Sequence, residues 1–313
     1  MKIRDVYFGL VLLVVGVVVV GGVYPAVDDL WVENPGWNGL STFYHVVDPV
    51  RVRDLEELAG FGPLNCTLFM VGPSRGFSVG DVEAVSAFLE DGGRVVLLDD
   101  FGSGNELLDG LGLGTRFDGG LLRDGVFFDP VPEFPRLLNY SYGVSEELVL
   151  NYGSVLEVGP GARVLISSTP LSYVNGSMGV VGGPFPVMVR VGVGEGVLFL
   201  VSDSSLWLNS MIMRGDNRAL LDDVLVGVAL VDVGHSYPTR LLAFQWMLED
   251  VYGILALAEV RYLVGVLLVL LVSRLRFEED SESVPDFVGE ILNQHPEWSK
   301  EQLEWLREQQ RKK

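Results

Sequence analysis

Nineteen consecutive residues near the start of the chain, Val6–Tyr24 (VYFGLVLLVVGVVVVGGVY), carry no charged side chain. As a helix rising about 1.5 Å per residue, such a run spans about 28 Å, close to the hydrocarbon thickness of a bilayer. No other feature so narrows what the chain can be, because a helix that is apolar all round needs either a core or lipid around it. Lys2 and Arg4 precede the run, and Asp28, Asp29 and Glu33 follow it. The Lys/Arg excess on the short N-terminal side predicts residues 1–5 in the cytoplasm and a transmembrane helix over 6–24. The competing reading is a cleaved signal peptide, whose apolar region is shorter and ends in an Ala-x-Ala-like site. This run ends instead in Gly-Gly-Val-Tyr-Pro, which favours an uncleaved anchor.

A second apolar stretch lies near the other end. Tyr262–Ser273 alone is too short to span, but extended back to Ile254 it reaches twenty residues and takes in Glu259 and Arg261. A second transmembrane helix over 254–273 places both charges in its outer half, at a cost of up to about 2.5–3.5 kcal/mol each at full depth. They are then either an interfacial pair or an intramembrane polar contact to another helix. Arg274 and Arg276 close the segment on the cytoplasmic side and leave 274–313 as a cytoplasmic tail. In that tail Glu278–Ser283 reads as an acidic linker. Ser299 and Gln302 fit a capping box for an amphipathic helix, with Trp298, Gln302, Trp305 and Leu306 near one face. This helix either meets a partner or membrane surface or folds back on Phe287–Leu292.

Residues 25–250 carry 30 Asp and Glu against 12 Arg, a balance of −18, and no Lys. A field of that sign repels nucleic acid and anionic headgroups. It suits a soluble domain, or a surface that recruits cations or a basic partner. The single cysteine, Cys66, excludes an internal disulfide framework. Asn-x-Ser/Thr triplets at Asn65, Asn139 and Asn175 agree with an extracytoplasmic location for this region.

Within it, Cys66–Gly72 and Val95–Leu98 read as buried strands. Ser78 is placed to cap a helix with an apolar stripe of Val82, Val85, Ala87, Phe88 and Leu89, and a second helix follows at Glu106–Leu111. Continuous apolar strands alternating with helices indicate a mostly parallel, helix-covered α/β sheet. Further on, Glu147–Val158, Arg163–Ser168, Val187–Val191 and Val197–Val201 read as strands, the last two as an antiparallel hairpin around Gly192–Gly196. Asp216 is placed to cap a helix with Leu220, Leu221, Val224, Leu225 and Val228 on its buried stripe.

Three segments and a short pair in this order carry a resemblance: Asn34-Pro-Gly-Trp-Asn-Gly-Leu-Ser, Gly92-Gly-Arg-Val-Val-Leu-Leu-Asp-Asp-Phe-Gly-Ser-Gly-Asn, Gly194-Glu-Gly-Val-Leu-Phe-Leu-Val-Ser-Asp-Ser-Ser-Leu-Trp-Leu-Asn, and Asp216-Asn. Over about residues 30–275 the chain resembles an uncharacterised archaeal and bacterial membrane family, a domain of unknown function. That family's ectodomain is like class I glutamine amidotransferases (flavodoxin-like in layout) and similar to the auxiliary subunit of gliding-motility-type ABC transporters. The resemblance implies a fold and a two-pass topology but no reaction. It also implies company: AAA+ ATPases, von Willebrand-type proteins, transglutaminase-like membrane proteins or a transporter.

Glutaminase chemistry needs a nucleophilic Cys on a strand-to-helix turn, whereas Cys66 opens its strand. Gly72-Pro-Ser-Arg-Gly76 matches a hydrolase elbow pattern, and Asp203 and His235 complete the order Ser74, Asp203, His235. Against this triad, Pro73 sits where the turn must be sharp and the helix begins only near Ser78. Three histidines, at 45, 235 and 295, show no metal-ligand spacing, so neither a metal nor another cofactor is expected. Ligands of parallel sheets sit beyond the carboxyl ends of the strands. Those ends carry Ser74, Arg75, Asp99, Asp100, Ser103, Asn105 and Asp203, the candidate ligand- or partner-binding residues. In the competing reading Asp100, Ser103 and Asn105 merely cap the helix at Glu106. The expectation is a non-enzymatic, membrane-anchored accessory or sensor subunit of an envelope or transporter-associated complex. The alternative is a divergent extracellular serine hydrolase.

Overall fold

The computed structural model describes residues 3–24, 26–138, 147–176, 179–236, 238–279 and 287–311. The chain divides into two units, Met1–Trp246 and Met247–Lys313.

The strands of the first unit are β1 (Val50–Val52), β2 (Cys66–Val71), β3 (Arg94–Leu98), β4 (Arg116–Phe117), β5 (Leu122–Asp124), β6 (Arg136–Leu138), β7 (Glu147–Val149), β8 (Leu156–Glu157), β9 (Ala162–Ser167), β10 (Ser172–Gly176), β11 (Gly179–Gly182), β12 (Pro186–Val193), β13 (Gly196–Val201) and β14 (Val228–Asp232). Its helices are α1 (Ile3–Val23), α2 (Ser41–Val47), α3 (Val79–Glu90), α4 (Gly104–Gly110) and α5 (Asn217–Val224), and α6 (Arg240–Ala256) begins in it. Seven strands join in the order β1-β14-β2-β3-β13-β12-β9. The first five run parallel, and β12 and β9 add an antiparallel edge. This is the expected mixed α/β architecture with a mostly parallel central sheet, and β12 and β13 form the expected hairpin.

Side chains alternate across the sheet because successive Cβ atoms point to opposite faces. Phe69, Val71, Val96, Leu98, Phe199 and Val201 join one core, which also holds Phe43 of α2, Leu220, Leu221 and Val224 of α5, and the fully buried Trp207. Leu68, Met70, Val95, Leu97, Leu198 and Leu200 join the other, under α3 and α4, with Val85, Phe88, Leu89, Leu107 and Leu108. Strands covered on both faces must be apolar throughout, which is why these runs show no polar alternation. Ser78 caps α3 as expected: its hydroxyl accepts from Asp81 N–H, and the Asp81 carboxylate accepts from Ser78 N–H in return.

Several boundaries differ from the sequence reading. Ala87 is exposed on α3, off the buried stripe. The expected strand Glu147–Val158 is two short strands, β7 and β8, because Tyr152 takes a left-handed φ of 55° between them. Val228 belongs to β14 and not to α5, since Gly227 at φ 65° turns the chain after the helix. A Cβ at Gly227 would lie 2.0 Å from the Asn65 carbonyl oxygen, so this turn needs glycine.

In the second unit the expected single helix over 254–273 is interrupted. α6 ends at Ala256 and α7 (Ala258–Glu279) begins two residues later, at an angle of 87°. At the break the backbone tightens to an i→i−3 bond, Leu257 N–H to Ile254 O. Among the described residues no single helix is long and apolar enough to cross a membrane. The bent pair Arg240–Ala256 and Ala258–Leu270 passes that test together, and Phe8–Val23 is a shorter apolar stretch. Glu259 and Arg261 sit exposed on α7 with no ion pair between them. In the tail α8 (Phe287–Gln294) packs on α9 (Lys300–Arg311), as in the fold-back reading, and Trp298, Trp305 and Leu306 stay exposed. The Asn139 triplet and part of the Asn175 triplet and acidic linker lie outside the described residues.

Candidate ligand-binding site

The carboxyl ends of the parallel strands form two neighbouring groups of loops. Over β3 and β13 the loops are held by inward-turned carboxylates. Asp99, which is 1% exposed, accepts from Asp100 N–H and Gly102 N–H through Oδ1 (2.8 and 2.9 Å) and from Gly104 N–H through Oδ2 (2.7 Å). It therefore closes the first turn of α4 from five residues upstream, a role the sequence reading gave to Asp100, Ser103 or Asn105. Ser103 has no capping bond; its hydroxyl donates to Pro73 O and Arg75 O at 2.9 and 2.8 Å, tying the β3 loop to the β2 loop. Asn105 pairs in both directions with the Phe117 backbone.

Asp203 is fully buried beyond β13, accepting from Asn151 N–H and Ser205 N–H at 2.7 Å each. Burial pushes its pKa up to about 8, the negative charge of Asp100 adds to the rise, and the two N–H bonds oppose it. Burial also raises Asp99, against its three N–H donors, and Asp100, against Ser204, whose hydroxyl donates to it at 2.9 Å. Among the described residues no group of three or more His, Cys, Asp or Glu is arranged to hold a metal ion.

Over β1, β14 and β2 the arrangement is open. Asp232 ends β14, and its Oδ1 accepts from Gly234 N–H, forming a tight turn that presents His235. His235 Nδ1 lies 2.8 Å from Asp232 Oδ2 and Nε2 3.4 Å from Asp81 Oδ2, while the ring stacks on Phe77 at 4.2 Å. Burial alone would lower its pKa. The Asp232 bond and the charges of Asp232 and Asp81 outweigh burial and raise it above 6.5. The His235 carbonyl accepts from both Ser74 N–H and Arg75 N–H at 2.9 Å, so this residue fixes the β2 loop as well. Ser74, Asp203 and His235 are consequently not a relay: the ring nitrogens face Asp232 and Asp81, and Asp203 is engaged by backbone N–H groups. Ser74 sits exposed in a loop four residues before Ser78, not on a strand-to-helix elbow.

Between these loops lies a cavity of about 300 Å³ walled by Arg53 beyond β1, Arg75 beyond β2 and His235 beyond β14. Asp54, Glu56 and Asp81 complete its charged lining. β2 leaves its carboxyl end towards α3 on one face of the sheet, whereas β14 leaves towards α6, whose Leu242 joins the core on the other. The crevice beside adjacent strands served from opposite faces is where open α/β sheets bind ligands. The sequence reading named Arg75 and His235 but missed Arg53, Glu56, Asp81 and Asp232. The one local signal was Asp232-Val-Gly-His235, an acid three residues before a histidine at the end of an apolar run.

The family motifs also meet in space. Asn209 Nδ2 donates to Asn34 O and Gly36 O and its Oδ1 accepts from Thr42 N–H, joining the first motif to the third. Buried Asn217 accepts from Val149 N–H and donates to Val149 O and Met211 O. The family model described as "Domain of unknown function (DUF4350)" matches residues 32–225. The chain belongs to the DUF4350 family. That span of the DUF4350 domain includes Arg53, Arg75 and Asp81 but ends before β14, so Asp232 and His235 reach the cavity from outside it. A sequence comparison with curated proteins finds no match. Among solved structures, the mmIFT52 N-terminal domain is similar at 15% identity, covering 55% of this chain and 78% of that one, with a TM-score of 0.43. A β-galactosidase from Bacillus circulans sp. alkalophilus is similar at 14% identity, 51% of this chain, 22% of its own and a TM-score of 0.31. A cytoplasmic protein from Salmonella typhimurium is similar at 12%, 57%, 76% and 0.30. The chain thus spans about a fifth of the β-galactosidase's length.

Proposed function

We propose that this protein is a membrane-anchored, non-enzymatic accessory or sensor subunit, with its α/β domain outside the cytoplasm and both termini inside. The observation that carries this reading is the bareness of α1. From Leu10 to Val15 every side chain is apolar and 51–63% exposed, and Val17, Val19 and Val20 continue the pattern. An apolar helix uncovered on all sides is stable in lipid and not in water. Near its end α1 meets the protein: Phe244 fills the space beside Gly21, and Gln245 donates to Gly21 O and Tyr24 O. The resemblance to amidotransferase-like ectodomains of gliding-motility-type transporters supports an envelope or transporter-associated complex. Its partners would be other membrane proteins, including AAA+, von Willebrand-type or transglutaminase-like neighbours.

The test is labelling with a membrane-impermeant maleimide. Cys66 is buried and gives little background, and Val126 is 62% exposed. Val126→Cys should react in intact cells and Lys300→Cys only after lysis. Reaction of Lys300→Cys in intact cells sinks the topology.

A further inference from the structure

The cavity beyond β1, β14 and β2 has a lining without a single apolar side chain, apart from its glycines. That composition excludes a hydrophobic ligand, because nothing there compensates desolvation except charge and hydrogen bonds. The lining carries both signs in equal number: Arg53, Arg75 and His235 against Asp54, Glu56 and Asp81. Much of this charge is already spent on the fold. His235 is held by Asp81 and Asp232. Asp81 accepts from Ser78 N–H, and Asp54 accepts from Glu56 N–H to cap the 3-10 turn at Leu55–Gly60. Arg53 stacks over Trp246. Two charged groups are left over. The Arg75 guanidinium and the Glu56 carboxylate make no hydrogen bond or ion pair among the described residues, and they project from different loops into the same cavity.

In a region where 30 acidic residues compete for 12 arginines, an arginine left unpaired across a cavity from an unpaired glutamate is unusual. The two do not neutralise each other; the cavity keeps them apart. We propose that this cavity binds a small zwitterion of the amino-acid class, its carboxylate on Arg75 and its ammonium on Glu56, with Asp54 beside the ammonium. A guanidinium matches a carboxylate with two parallel N–H donors, and an ammonium needs only converging oxygens. A simple anion would satisfy Arg75 but meet Glu56, Asp54 and Asp81 as like charges. A simple cation would meet Arg75 and Arg53. Only a ligand with both charges uses both leftover groups. The volume, at the small end of ligand sites, suits an amino acid or dipeptide and not a nucleotide.

This inference supplies a ligand class for the sensor reading, but its test does not depend on membrane orientation. The full-length protein in detergent is melted with a pool of the twenty common L-amino acids, with L-alanyl-L-alanine, and separately with acetate, methylammonium and inorganic phosphate. A ligand that binds only the folded state raises the melting temperature. We expect a rise with the amino-acid pool or the dipeptide, and none of comparable size with the single-charge compounds. Arg75→Ala and Glu56→Gln should each weaken the response at least about tenfold in apparent affinity. Both side chains are exposed and without a hydrogen bond or ion pair among the described residues, so both variants should melt like the wild type without ligand. The proposal is overturned by no shift with any amino acid or dipeptide, by an equal shift with acetate or phosphate, or by a shift that survives both substitutions. The maleimide experiment can fail while this one succeeds, and the reverse, so the two readings stand or fall separately.

Discussion

The loops over β3 and β13 and those over β1, β14 and β2 occupy equivalent positions at the carboxyl end of one sheet, yet they spend their charges in opposite ways. Asp99 and Asp203 point inward and give their oxygens to backbone N–H groups. The Arg75 guanidinium and the Glu56 carboxylate line an open cavity and make no hydrogen bond or ion pair among the described residues. Position at a strand end makes a residue a candidate for binding; burial and the count of satisfied donors decide whether it is free to bind. On that criterion the first group is wiring and the second is the proposed site.

The comparison breaks most readily at Asp99. Asp99→Ala leaves the N–H groups of Asp100, Gly102 and Gly104 without their acceptor, Gly104 in a buried position and Asp100 in a half-buried one. At about 1 kcal/mol or more per lost partner, the loss should reach about 3 kcal/mol. For a domain of this size that is a fall in melting temperature of roughly 6–12 °C. The expected signature is lost stability with ligand response intact in the surviving folded protein. If the variant melts normally and loses the amino-acid shift, the two groups have been assigned the wrong way round.

The second effect is a pH slope. Folded Asp203 holds its proton up to about pH 8, whereas the unfolded chain releases it near 3.8. Between those values the folded state binds more protons, so stability falls as pH rises. Asp99 and Asp100, also raised, act in the same direction. His235 adds to it: with its folded pKa above 6.5, its contribution is complete below 6.5 and is lost as pH climbs through the folded value. Asp81, lowered, works the other way but only near and below 3.8. Melting temperature should therefore decline steadily from pH 5 to pH 9. Asp203→Asn should flatten the slope whatever it does to the absolute stability, and His235→Gln should remove the histidine's share of it above 6.5. A melting temperature that rises across this range would mean that the carboxylates are ionised where they lie.

Much of the scaffold behind this comparison was legible before any coordinates. β2, β3 and the β12–β13 hairpin announce themselves as apolar runs ended by Gly or Asp, and Ser78 signals the start of α3. Other elements lacked a signal. β1 has three residues, too few for a pattern. β14 continues the i, i+4 spacing of Leu220, Leu221 and Val224, so Val228 read as a helical residue until Gly227 was seen to turn the chain. The break at Leu257 involves no Pro or Gly at that position and could not be read locally. The site was half legible for a related reason. Arg75 stands beside a recognisable strand, but His235 follows β14, which was not, and Glu56, Asp81 and Asp232 reach them from three separate elements. Which carboxylate a histidine meets is a property of the fold and not of spacing.

A smaller effect sharpens the boundary between the two groups. Ser103 hydroxyl is their bridge, donating to Pro73 O and Arg75 O across the gap between the β3 and β2 loops. Ser103→Ala should cost about 1 kcal/mol in stability. Because Arg75 is held at its backbone by Ser103 and by the His235 carbonyl, losing one tether should also weaken the amino-acid response by a few-fold. A lost response with unchanged melting would show that the bridge positions Arg75 more than it stabilises the loop. The converse would make the two loops independent.

The smallest expected effect falls on Ser74, and it separates binding from catalysis. A serine nucleophile needs a base within reach and a turn that exposes its oxygen to attack. The His235 ring is committed to Asp232 and Asp81, and the helix that would complete an elbow begins only after Ser78. The Ser74 backbone N–H bonds the His235 carbonyl and survives loss of the hydroxyl. Ser74→Ala should therefore shift stability by less than about 1 kcal/mol. It should also leave the amino-acid response unchanged, and wild-type protein should not react with a fluorophosphonate probe. Labelling of the wild type that disappears in Ser74→Ala would restore the hydrolase reading, because covalent capture requires the activated hydroxyl that this geometry does not supply.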